Sequence, residues 1–175
     1  GFTHWAKLNN LKQAAKTMNF LTEHGISSYG ELESKLTAIS ARRDTAHAEI
    51  KRIESRSAEL TLVMKHAGTY RQLKPLYDRY RKSNDKEKFL RGHESEIILF
   101  EAAARELKTA GAVPLPTTES MKTELANLSA EKERLLAEYK TARTEAQEYE
   151  TVKQNVDALL AVPKEQEQQR RHELE

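Results

Sequence analysis

The sequence predicts an all-α fold: a long antiparallel coiled-coil helical hairpin, two shorter helices packed near its closed end, and an N-terminal helix at its base. Three observations carry that prediction. First, Met121, Leu125, Leu128, Lys132, Leu135, Tyr139, Ala142, Ala146, Tyr149, Lys153, Val156 and Leu160 follow one another in alternating steps of four and three. Second, the same spacing runs through Leu32, Leu36, Ile39, Arg43, Ala46, Ile50, Ile53, Ser57, Leu60, Met64 and Ala67. Such steps place each series on one narrow stripe of a helix, the seam of a coiled coil. Third, charged residues make up 32 % of the chain and aromatics 6 %, with only 6 Gly and 4 Pro, the profile of long helices.

At about 1.5 Å per residue the later stripe covers roughly 60 Å, too much apolar edge to leave in water. The earlier stripe is its partner. Two heptad helices separated by a compact insert fold back on each other most simply as an antiparallel pair, and a parallel dimer of long helices is the rival arrangement. The pairing brings Leu32 near Val156 and Arg43 near Glu145. The small residues Ala142 and Ala146 leave room there for a seam cation.

In chain order, residues 2–22 read as a first helix with Trp5 as its packing anchor, stopped by Glu23-His24-Gly25. Ser27 or Ser28 caps a helix over 28–67, and Glu31 completes a capping box. Gly68 and Pro75 disfavour an unbroken continuation, so 69–82 reads as a kinked or separate helix. Ser83-Asn84-Asp85 is a turn that offers caps, and 86–108 is the most apolar helix. Ala110-Gly111 ends it, and an extended link through Pro114 and Pro116 reaches Thr117 and Thr118, the caps of a helix over 117–161. Residues 1–162 thus form a single elongated domain, and the polar tail 163–175 after Pro163 is expected to be frayed or disordered.

The chemistry-bearing residue types do not assemble into a reaction centre. There is no Cys, no run of glycines to hold a phosphate, and no two of the six histidines are at ligand spacing. His93, Glu94 and Glu96 come nearest to a metal cluster, but adjacent helical residues face different ways, so they read as a polar flank. We expect no catalytic residue, no metal, no cofactor and no enzyme activity in this chain. No apolar run is long enough for a membrane span, and the absence of Cys fits the cytoplasm.

Composition departs from the rest in one place. Between Lys65 and Arg91, nine cations against three carboxylates give +6, so the remainder of a chain totalling +2 carries −4. Tyr70, Tyr77 and Tyr80 are interleaved. Cations release counterions from phosphates and tyrosines can stack on unpaired bases, so Arg71, Lys74, Arg79, Tyr80, Arg81, Lys82, Lys86 and Lys88 are the candidate nucleic-acid contacts. The helical spacing of Leu73, Leu76, Tyr77 and Tyr80 equally suits tyrosines that pack internally beneath a solvated tip.

The runs KLNNLKQAAK (7–16), Tyr70 to Lys88 and HESEIILFEAAAR (93–105) resemble the C-terminal part of relaxase/mobilisation nucleases from conjugative or mobilisable elements of Gram-positive gut bacteria. In that family a separate N-terminal domain nicks DNA with a tyrosine and a histidine-bound metal, and none of those catalytic residues maps onto this sequence. The resemblance implies a non-catalytic domain acting in conjugative DNA transfer, by auxiliary DNA contact or by docking to conjugation accessory or coupling proteins. A structural spacer or homodimerisation module without a DNA role is the alternative.

Overall fold

A computed structural model of the chain describes residues 2–174, with side chains at 9–161 and 167–174. Those residues form four helices: α1 (Phe2–Glu23), α2 (Tyr29–Lys82), α3 (Lys86–Thr109) and α4 (Thr118–Glu173). The fold is all-α, and α2 and α4 pack on each other antiparallel. As numbers rise along α2, partners fall along α4: Tyr29 meets Asp157, and Arg42 meets Glu145. Trp5 lies outside the described side chains.

The chain groups into two compact units, residues 1–47 with 136–175 and residues 48–135. The first unit is built on one apolar cluster of Ile26, Leu32, Ile39, Ala146, Tyr149 and Val152, with Phe20, Leu21, Leu36 and Val156 packed against it. Leu32 and Val156 thus share a core, as the antiparallel register requires. Burying a side chain as fully as Leu32, 1 % exposed, contributes about 1.5–3 kcal/mol. Among the described residues Thr17 is the one buried polar side chain. Its hydroxyl donates to the Gln13 carbonyl and accepts from the Asn155 amide, so α1 is keyed to α4 without an unsatisfied group.

The α1–α2 turn is set by three residues. Gly25 adopts φ +63°, open to glycine at little cost. The Gly25 N–H then reaches the Thr22 carbonyl and the Ile26 N–H the Leu21 carbonyl, with Ile26 and Leu21 in the same core. That is a Schellman stop. Ser28 Oγ accepts the Glu31 N–H, and Glu31 reaches back to Ser27 rather than to Ser28. The Ser27 N–H is the main reason the Glu31 carboxyl titrates below its usual range.

In the second unit Ile50, Ile53, Leu60, Val63 and Ala67 of α2, Ile97, Phe100, Ala103 and Leu107 of α3, and Met121, Leu128 and Leu135 of α4 are all buried. Gly111, at φ +69°, repeats the stop at the end of α3: Gly111 N–H to Lys108, and Ala112 N–H to Leu107. Thr117 Oγ1 accepts the Ser120 N–H and opens α4.

Two expectations need correction, and a third is narrowed. A separate helix after Gly68 is not formed: α2 continues to Lys82 with Pro75 inside it. Tyr70 and Tyr77, on either side of Pro75, both stack on Phe100, at 4.8 and 4.3 Å, so packing holds the helix across the missing bond. The polar tail, for which a frayed helix and disorder were the two readings, continues α4 as helix to Glu173. Arg43 does not take Glu145. Arg42, one residue earlier on the flank, holds that carboxylate at 2.9 Å, and Arg43 turns to Asp44. A seam residue points between the helices, and carboxylates beside the seam are met from its rim.

Candidate nucleic-acid interface

The basic segment forms the end of α2, the turn Ser83–Asp85 and the start of α3. Asp85 caps α3 by accepting the Lys88 N–H, and Ser83 N–H closes on the Tyr80 carbonyl, which sets the chain reversal. Beneath the charges runs a row of rings. Tyr70 and Tyr77 stack on the buried Phe100, Tyr77 meets Tyr80 at 5.8 Å, Tyr80 meets Phe89 at 6.0 Å, and Phe89 meets His93 at 4.7 Å. His93 leaves helical geometry (φ −139°, ψ 26°), so α3 kinks there, and its Nδ1 lies 3.2 Å from Glu96. Among the described residues no three His, Asp or Glu side chains converge as a metal site would require.

The sequence-designated residues divide by what they touch. Arg71 donates to the Pro116 carbonyl and Thr118 Oγ1, fastening the entry to α4. Lys74 is paired with Asp78 at 3.0 Å, and the same carboxylate raises its pKa. Arg79 lies over the Phe89 ring, 5.8 Å from its centre. Tyr80 is half-buried in the row of rings. Arg81, Lys82, Lys86 and Lys88 are exposed and meet no carboxylate among the described residues, and the same holds for Arg91, which belongs to the basic segment but is not among the candidate contacts. Lys88 and Arg91, three apart, share a helix face.

Solitary unpaired cations such as Lys122 and Lys140 occur elsewhere. Among the described residues, only here do five fall within a single turn and its flanking helix ends. Along the paired stretches of α2 and α4 the charges instead find each other: Arg56 forks onto Glu124 at 2.7 and 3.2 Å, and Lys132 meets Glu54 at 3.5 Å. Glu124 is the chief cause of a raised Arg56 pKa. Pairs this exposed contribute under about 1 kcal/mol each, but they leave little field beyond themselves.

Among the described residues no helix is long and apolar enough to cross a membrane. Comparison with protein-family models, with characterised proteins and with solved structures finds no match.

Proposed function

We propose that this chain is the non-catalytic helical part of a DNA relaxase acting in conjugative transfer, working in the cytoplasm, and that its α2–α3 turn makes an auxiliary contact with the DNA backbone. The parentage rests on the sequence resemblance. The backbone contact is supported by one observation: Arg81, Lys82, Lys86, Lys88 and Arg91 are exposed and unpaired within one turn and its flanking helix ends. A fold gains nothing from concentrating like charges that it does not neutralise, whereas a polyanion does. Phosphate contacts confer affinity without sequence preference and weaken steeply with salt.

The test is fluorescence anisotropy of the chain with labelled DNA across a salt series. Binding at low salt is expected, and replacing Arg81, Lys82, Lys86 and Lys88 together with Ala is expected to flatten the log–log salt slope by up to about four. No binding at low salt would overturn the proposal. The second reading, a spacer or docking module serving transfer proteins or a second copy of this chain, draws on Ile98 and Leu99, each 56 % exposed on α3.

A further inference from the structure

Resting on that reading, we infer that the α2–α3 turn takes nucleic acid as a duplex, through phosphates alone, and does not hold unpaired bases. Single strands are gripped by charge together with aromatic platforms on which successive bases stack. Here the rings are already occupied. Phe100, 5 % exposed, is stacked by Tyr70 and Tyr77. Tyr80 is flanked by Tyr77 and Phe89, and Phe89 has His93 beside it and the Arg79 guanidinium above it.

A base stacking on this row would compete with the contacts of Tyr70 and Tyr77 on Phe100 and of Tyr80 on Phe89, which join α2 to α3. The fully exposed side chains of the turn are mostly ammonium and guanidinium groups, while the rings are half-buried. Such a set responds to charge density, and a duplex presents about one charge per 1.7 Å of axis, twice that of a single strand. Phosphates on both strands are then within reach of one cluster.

The experiment compares a short mixed-sequence duplex with each of its separated strands, for the unaltered chain and for Tyr80→Leu, which keeps an apolar contact while removing the ring. The duplex is expected to bind several-fold tighter than either strand, and Tyr80→Leu to leave both affinities unchanged. Single strands that bind as tightly as the duplex, or a selective loss of single-strand binding in Tyr80→Leu, would overturn the inference while leaving the backbone contact standing. Failure of the unaltered chain to bind either form would overturn both.

Discussion

The α1–α2 turn and the α2–α3 turn solve the same problem with opposite residues. In the first, the polar groups close inward: Lys35 Nζ donates to the His24 carbonyl, Glu31 takes Ser27, and Phe20 and His24 stack 4.0 Å apart. In the second, Asp85 and Ser83 suffice to make the turn, and five cations are left over. The difference separates residues a turn needs from residues it merely carries. Charge that local structure does not consume is where a partner is to be sought.

The support beneath the second turn can be broken most severely at Phe100. Phe100→Ala removes the ring on which Tyr70 and Tyr77 stack and should cost about 3–5 kcal/mol, read from the denaturant midpoint. A loss below about 1 kcal/mol would mean that Pro75 is carried without help from α3.

A smaller effect is expected at the first turn. Gly25→Ala meets no steric obstacle, since nothing lies within 4 Å of an added Cβ, so only the positive φ is penalised. The cost should be about 1–2 kcal/mol, and thermal unfolding checks it. Arg43→Leu should act in the opposite direction. It places an apolar side chain on a seam position whose charge meets only its neighbour Asp44, and a gain of up to about 1 kcal/mol is expected. A lower melting temperature in that variant would show that the guanidinium stabilises the seam.

Titration sharpens the contrast further. Glu31 is held below its ordinary 4.5, so its contribution is fully present above that value and is lost as pH falls through the lower folded value. Tyr29, hydrogen-bonded to Asp157 at 2.6 Å, is pushed from 10.0 up to about 12, so its contribution is present below pH 10 and disappears as pH rises through 12. Stability–pH curves of Glu31→Gln and Tyr29→Phe should each be flatter, on the acid and alkaline arms respectively.

Much of the fold was legible because heptad spacing is a direct imprint of burial. Every residue of the α2 stripe is buried or half-buried, and in α4 only Leu160, 58 % exposed, departs. The two helix stops were legible for a similar reason, since Gly25 and Gly111 are required where φ turns positive. Pro75 was misread because its local penalty is visible in sequence while the rings that offset it come from α3. Arg43 was misread because four-three spacing says which residues face the seam but not which rim atoms reach across it. In the candidate interface, charge density along the chain was visible. That Arg71 is engaged depends on Pro116 and Thr118, partners no local pattern encodes, whereas the pairing of Lys74 with Asp78 four residues on was within reach of the sequence.

The central claim is that the cations of the α2–α3 turn serve a polyanion and not the fold. It is tested by measuring melting temperature and duplex affinity together on the Arg81, Lys82, Lys86 and Lys88 to Ala variant. The account predicts stability within about 0.5 kcal/mol of the unaltered chain and a collapse of low-salt affinity. Unchanged affinity, or a melting temperature that falls with it, would contradict the claim.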